Sequence, residues 1–268
     1  MEKGTNVWKT LKFQKHLMSY EDDVIAEEFP LTILINGQEF ATMACTPANL
    51  KELVVGFLAS EGIILTYSDI QTISIDSTDG FAYVELNKPF TNDQASQKRW
   101  IGSCCGKSRV FYFKNDVKTA RTITSQMTIT PAQCMELMNT FQYEATMFQQ
   151  TGGVHQASIA TEHGLMISFA DIGRHNALDK LYGKVLIDRI PLRNKLIIFS
   201  GRISSEVLLK VSKMRIGLVL SKSAPTNLAL QLAQDLNITA IGFIRGDRMN
   251  VYTHEKRINS SHHYEEKA

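Results

Sequence analysis

No apolar run in this 268-residue chain approaches the roughly 18–20 residues that a membrane span needs. Cysteine is scarce: Cys45, Cys104, Cys105 and Cys134 are too few for a disulfide framework in a chain of this length. Neither sign of charge dominates. With 29 Lys and Arg against 27 Asp and Glu, the formal net charge is +2, so no bulk affinity for nucleic acid or a membrane is expected and any anion recognition must be local. The N-terminal segment is polar and lacks the apolar core of a secretory signal. Also missing are GxGxxG, the P-loop, HExxH, CxxC and the Cys/His spacing of zinc sites. The H-x-E and P-C-x-x-C pattern of the zinc deaminases is absent as well. These absences lead to the expectation of a cytoplasmic protein with reduced thiols and no metal of its own.

Apolar residues make up 44% of the chain, enough for a sizeable core. In residues 24–45 two β-rich apolar runs flank Asn36 and Gly37, a hairpin-turn dipeptide. Thr46 and Pro47 read as an N-cap and first helical residue. The helix that follows carries Leu50, Leu53, Val54, Phe57 and Leu58 on one face and stops at Gly62. Strands are expected near 70–75 and 81–86. Another helix opens at Thr130 and Pro131, with Gln133 completing a capping box, and runs to about residue 149. From Gly152 onward strand-like segments (HQASIAT, LMISFAD, KLIIFS, GLVLS, TAIGFI) alternate with helices starting near Asn176, Ser204 and Pro225, and a last strand lies near 250–253. This predicts a small α+β domain over 1–125, ending in the segment with the paired cysteines, and a layered α/β domain over 126–268 with a polar tail.

Three groups of residues can carry chemistry. Cys104 and Cys105 sit between Gly102 and Gly106 in a segment that, from residue 98 to 121, holds seven basic residues and one acid, Asp116. Nearby positive charge favours thiolate over thiol, which suits nucleophilic attack on a sulfur donor. Two ordinary free thiols or a vicinal disulfide remain open on these residues alone. Second, four glycine-containing junctions follow strands: Gly152 to His155, Asp171 to Asn176, Ser200 to Ser205, and Gly242 to Arg248. Ligands of open α/β sheets gather at the carboxyl ends of strands, where helix N-termini offer N–H groups to anions. Arg174, Arg202, Arg245 and Arg248 are therefore candidates to converge on a phosphorylated ligand. The alternative is that these are loop glycines and surface arginines. Third, His155 and His175 lie inside these junctions, as catalytic bases, metal ligands or plain hydrogen-bonding and capping residues. Cys45 and Cys134 read as small buried apolar residues.

The stretches ATMACTPANLKELVVGFLASEGII, SCCGK, GGVHQASIA, DIGRHNALDKLYGK, SGRISSEVLLK, SKSAPTNLALQLA and IGFIRGDRMNVY resemble the formate dehydrogenase accessory sulfurtransferase family (FdhD/NarQ), in order and over nearly the whole chain. The resemblance implies a small N-terminal domain plus a cytidine-deaminase-like α/β domain without zinc, as a homodimer. It implies a sulfurtransferase that receives sulfane sulfur from a cysteine desulfurase, holds it as a cysteine persulfide and passes it to the molybdenum bis-guanine-dinucleotide cofactor before insertion into the formate dehydrogenase catalytic subunit. A cofactor-binding chaperone without sulfur chemistry and a nucleotide-dependent deaminase-like enzyme are the alternatives. Many members carry C-x-x-C before Gly; here Gly102 replaces the first cysteine and Cys105 aligns with the second. Cys105 is thus the expected persulfide carrier and Cys104 an assisting or resolving thiol. The expected cofactor contacts are Phe243, Ile244, Arg245, Gly246, Asp247 and Arg248, with Arg174, His175, Gly201 and Arg202 beside them; Asn176 and Asp179 are expected to orient the ligand or shape the pocket.

Overall fold

The computed structural model describes residues 3–90, 99–101 and 122–260, residues 99–101 by their backbone alone. The described residues divide into two compact units, neither of them a continuous stretch of chain. Unit 1 lies within Met1–Asn115, Ala145–Gln156 and Phe169–Ile190, and unit 2 within Asp116–Glu144, Ala157–Ser168 and Pro191–Ala268. Set beside the single boundary expected after residue 125, the main difference is a long helix near residue 180, expected in the second domain, that clusters with unit 1. Among the described residues no helix is long and apolar enough to cross a membrane.

Unit 1 begins with a two-stranded antiparallel ribbon, β1 (Thr5–Gln14) and β2 (Leu17–Ala26). A five-stranded sheet follows, of β3 (Phe29–Ile35), β4 (Gln38–Cys45), β5 (Ile70–Asp76), β6 (Phe81–Leu86) and β7 (Arg99–Ile101), in the order β5-β6-β3-β4-β7. Asn36 and Gly37 both have positive φ, 48° and 75°, the two-residue hairpin turn expected from the dipeptide. Alternate residues Leu31, Ile33 and Ile35 of β3 are fully buried, since a strand with one covered face puts every second side chain into the core. They join Leu53, Val54 and Leu58 of α1 (Leu50–Ser60) in one cluster.

The start of α1 differs from expectation. Its N-cap is Asn49, in the left-handed region at φ 55°, and Thr46 is engaged elsewhere. Its stop is as expected: Gly62 takes φ 74°, and Ile63 N–H donates to the Leu58 carbonyl. Helix α1 packs on the helix Arg174–Asp188 with glycines at the crossing. A Cβ on Gly56 would overlap the Asp179 carbonyl oxygen, and one on Gly183 would overlap that of Glu52.

Unit 2 is built on a six-stranded sheet with the order β13-β12-β11-β10-β8-β9. Its strands are β8 (His155–Thr161), β9 (Gly164–Asp171), β10 (Leu196–Phe199), β11 (Leu218–Ser221), β12 (Thr239–Arg245) and β13 (Arg248–Val251). The central β10, β11 and β12 are parallel. Every residue of β10 and β11 is buried, as parallel strands covered on both faces require. On one face lies α2 (Pro131–Tyr143), whose Cys134, Leu137, Met138 and Phe141 enter the core. Its capping box forms as expected: Gln133 N–H donates to Thr130 Oγ1, and Thr130 N–H to Gln133 Oε1. The helix ends at Tyr143, and a separate short helix, α3 (Thr146–Thr151), follows in unit 1. The fourth helix, α4, is the Arg174–Asp188 helix of unit 1. The remaining two, α5 (Ser205–Lys213) and α6 (Asn227–Leu236), are the crossovers of two successive βαβ units. The molecule is mixed α/β, and among the described residues its parallel strand pairings lie at the centre of the six-stranded sheet and in two pairings of the five-stranded one.

Candidate functional site

The junction between β9 and α4 in unit 1 is organised by one buried ion pair. Asp171 and Lys180 are both fully buried, with Lys180 Nζ 2.7 Å from Asp171 Oδ2. A buried charge must be paired and hydrogen-bonded to be tolerated, and this pair is. Asp171 Oδ2 also accepts from the Thr46 N–H (3.1 Å) and hydroxyl (3.0 Å). Its Oδ1 accepts from Gly173 N–H (2.8 Å) and Asn176 Nδ2 (2.9 Å). Lys180 spends its other two donors on Thr46 Oγ1 (2.8 Å) and the Ala170 carbonyl (3.0 Å). Asn176 reaches on to the Ala44 carbonyl at 2.8 Å. The network clamps the ACTP segment after β4 to the DIGRHNALDK segment, with Thr46 and Asp171 125 residues apart in the chain. A Cβ on Gly173 would come within 2.7 Å of the Asn176 amide, so this junction needs glycine. One turn on, Ser60 donates to Asp179 Oδ1 at 2.6 Å, tying α1 to α4. Asn176 and Asp179, expected near a ligand, are committed to holding the fold.

Arg174 and His175 open α4 and are half-buried, with the Nε of Arg174 and the Nε2 of His175 themselves buried. His155 begins β8 in the same unit. Its burial and, next, the positive charge of Arg174 hold its pKa below the ordinary histidine value, against an opposing pull from Asp171. A neutral imidazole results at neutral pH, able to accept a proton but poor at carrying charge.

In unit 2 the carboxyl ends of β10, β11 and β12 are laced together by serines. Ser221 Oγ donates to the Gly201 carbonyl (2.8 Å), and Ser223 Oγ to that of Ser200 (3.2 Å). Ser223 N–H donates to Ser221 Oγ (2.9 Å), and Phe243 N–H to the Ser223 carbonyl (3.3 Å). A Cβ on Gly242 would press to 2.9 Å from that same Ser223 carbonyl, so the three strand ends meet over a bare backbone. Ser204 caps α5 through Val207 N–H, whereas Thr226, at the N-cap of α6, makes no side-chain cap bond. Around this edge Arg202, Lys222, Arg245 and Arg248 are exposed, with Asp247 the acid among them. Cationic side chains, hydroxyls and helix N-termini at the carboxyl edge of parallel strands are the groups from which α/β proteins in general build phosphate sites.

The expected stretch from Phe243 to Arg248 forms the β12–β13 hairpin. Gly246, at φ 57°, is the first of two central turn residues facing the Arg245 and Arg248 pair. Phe243 is held at φ 53° beside a register shift in this hairpin, exposed, with the Arg245 guanidinium carbon 5.8 Å from its ring centroid. Ile244 differs from its neighbours: its side chain is buried in the core, which leaves only its backbone for a ligand. Gly201 is buried and Arg202 exposed. The residues expected to surround one ligand are thus divided, Arg174 and His175 in unit 1 and the others in unit 2. Lys222 and Ser223 stand outside the expected contacts because the segment after β11 contains no glycine; its position after a buried apolar strand is the signal that marks it.

Cys104 and Cys105 lie outside the described residues. The other two thiols are described and fully buried. Burial pushes the pKa of each up to about 12; at Cys45 the negative charge of Asp171 adds to it and Lys180 opposes it, and at Cys134 its own backbone hydrogen bond opposes it. Neither can be a thiolate at neutral pH or meet a second protein.

Comparison with known proteins adds the following. The model of the FdhD/NarQ family matches residues 26–259. The sulfur carrier protein FdhD of Halalkalibacterium halodurans is 57% identical over 242 residues, covering 89% of this chain and 90% of that one. The protein of the same name from Bacillus subtilis is 52% identical over 258 residues, covering 96% of this chain and 98% of its own. Among solved structures, a candidate formate dehydrogenase accessory protein from Desulfotalea psychrophila superposes with a TM-score of 0.77, over 95% of this chain and 99% of that one, at 24% sequence identity.

Proposed function

The chain belongs to the FdhD/NarQ family, and from that premise we propose that it is a sulfur carrier and sulfurtransferase serving formate dehydrogenase. The Cys105 thiolate attacks the terminal sulfur of a cysteine desulfurase persulfide. A new S–S bond forms on Cys105, the donor S–S bond breaks, and the donor cysteine leaves as a thiolate. In the transfer to the molybdenum bis-guanine-dinucleotide cofactor, the substrate, the S–S bond on Cys105 breaks, Cys105 returns to a thiolate, and the sulfane sulfur is taken up with the two electrons that the reduced metal of that substrate would supply, before the cofactor enters the catalytic subunit. Its phosphates are held by the cationic rim of Arg202, Lys222, Arg245 and Arg248, with Phe243 and Gly246 on the same hairpin and Gly201 at the β10 end. Cys104 assists or resolves. The protein acts in the cytoplasm as a homodimer.

The observation that carries this reading is the contrast among the thiols. Cys45 and Cys134 are sealed in the core and protonated, while Cys104 and Cys105 lie in a segment with seven basic residues and one acid. Incubation with a cysteine desulfurase and radiolabelled cysteine tests it. Reductant-sensitive label is expected on the wild type and on Cys134→Ala, and a loss of at least about tenfold on Cys105→Ser. Absence of label on the wild type would leave a cofactor-binding chaperone. Loss in Cys104→Ser alone would move the carrier by one residue.

A further inference from the structure

A cleft of about 470 Å³ opens in unit 2 where three segments meet: residues 125–128, the end of α6 from Gln234 to Asn237, and residues 252–257 after β13. It lies at the amino end of the parallel strands. Arg257 sits against Gly217, just before β11, and bonds to Thr239, the first residue of β12. The exposed arginines after β12 stand at the opposite end, since Thr239 and Arg245 bound that strand and seven strand residues span about 20 Å.

The cleft holds a buried cation without a buried anion. Arg257 is 9% exposed. Among the described residues its five N–H groups make three hydrogen bonds. Nε (3.4 Å) and Nη2 (3.2 Å) donate to the Ser125 carbonyl, and Nη1 (3.1 Å) donates to Thr239 Oγ1. Those acceptors are neutral. No carboxylate of the described residues pairs with it, and burial holds its pKa below the ordinary guanidinium value. The buried Lys180, by contrast, has Asp171 at 2.7 Å. A buried charge is tolerated when an opposite charge meets it, and Arg257 keeps N–H groups to reach one.

The surroundings favour an anion. Apart from His254, the charged lining residues are two cations, Lys256 and Arg257, against one acid, Glu255. The carbonyls that end α6 would repel an anion, but they are occupied. That of Gln234 accepts from His254 Nε2 (3.1 Å), and that of Leu236 from the Ile123 N–H (2.9 Å). Hydroxyl- and amide-bearing residues, among them Thr128, Tyr252 and Gln126, line the rest. At about 470 Å³ the space falls within the ~300–1,000 Å³ of small-molecule sites, far more than a bare ion fills.

We propose that this cleft binds a small anionic metabolite whose phosphate or carboxylate group neutralises Arg257. The guanidinium gives its remaining N–H groups to the anion's oxygens, Lys256 adds charge from the solvent side, and the hydroxyls and amides take the rest of the ligand. The site stands apart from the cationic edge assigned to the cofactor and does not rest on that reading.

Proton–nitrogen correlation NMR of the nitrogen-15-labelled full chain tests it. Inorganic phosphate and citrate are titrated separately at constant ionic strength. The Arg257 Nε–H signal, identified by its loss in Arg257→Lys, should shift saturably with at least one of them. The tighter of the two assigns the ligand's charged group. In Arg257→Lys the backbone signals of residues 253–257 should no longer shift. Lys256→Glu, an exposed change that leaves Arg257 in place, should raise the half-saturating concentration about tenfold or more. An Arg257 signal indifferent to both anions would overturn the proposal, as would saturation unchanged in Lys256→Glu. So would shifts confined to the hairpin from Phe243 to Arg248, which reports the opposite end of the sheet. Arg257 would then be a pin between Ser125 and Thr239 and nothing more. Sulfur label on Cys105 is a separate readout, so either reading can fail without the other.

Discussion

The junction that opens α4 and the edge formed by β10, β11 and β12 read alike in sequence. Each follows a strand, and each mixes glycine, cations and small polar residues at the start of a helix. Burial makes them different objects. In the first, Asp171 and Lys180 are fully enclosed and their donors and acceptors are spent on Thr46, Ala170, Gly173 and Asn176. In the second, the serines tie backbone to backbone while Arg202, Lys222, Arg245 and Arg248 extend into solvent. A polar motif at a strand end therefore serves the fold when its charges are matched inside, and offers its charges to the solvent side when they are left outside.

Three substitutions test that contrast, from the largest effect to the smallest. Lys180→Met strips a buried carboxylate of its cation and is expected to lower the unfolding free energy by about 3–5 kcal/mol in urea titration. A loss under about 1 kcal/mol would mean that the clamp holds nothing the rim does not. Arg248→Ala should do the reverse, weakening guanosine diphosphate binding by about tenfold in calorimetry while stability changes by less than ~0.5 kcal/mol. Unchanged binding would move the phosphate site away from the β12–β13 hairpin. The smallest effect belongs to His155, on the buried side of the comparison. Its folded pKa lies below the ordinary 6.5, so the unfolded chain binds the proton more readily. The stability this contributes is complete above about pH 6.5 and is lost as pH falls through the lowered value. His155→Gln should flatten that part of the stability profile in melts across pH, and an unaltered profile would assign the acid loss to other groups.

Local signals were legible where the chain's own chemistry is decisive. The Asn36 and Gly37 turn, the Thr130 capping box, the Gly62 stop and the buried runs of β10 and β11 appear as read. Thr46 shows where such reading fails. Followed by proline, it has the credentials of an N-cap, yet its hydroxyl is worth more to Asp171 and Lys180, so α1 starts at Leu50 with Asn49 as its cap. The ribbon of β1 and β2 was also missed. Its strands mix charge with apolar residues, and it turns at Lys15, at φ 56°, without an Asn-Gly or Asp-Gly signal. The helix expected to run to about residue 149 breaks after Tyr143.

The sequence alone determined the family, the alternation of strands and helices, and the chemical candidates: two thiols in a cationic segment and a set of arginines after strands. Those properties depend on neighbours a few residues away or on the order of motifs. Tertiary structure decided which polar groups are buried and which are exposed. Asp171 and Lys180 are a clamp because Thr46, 125 residues before Asp171, completes their hydrogen bonds where none of the three side chains reaches the surface. Cys45 and Cys134 are inert because the core closes over them. Desolvation acts through whatever packs nearby, and no local pattern in the chain encodes it.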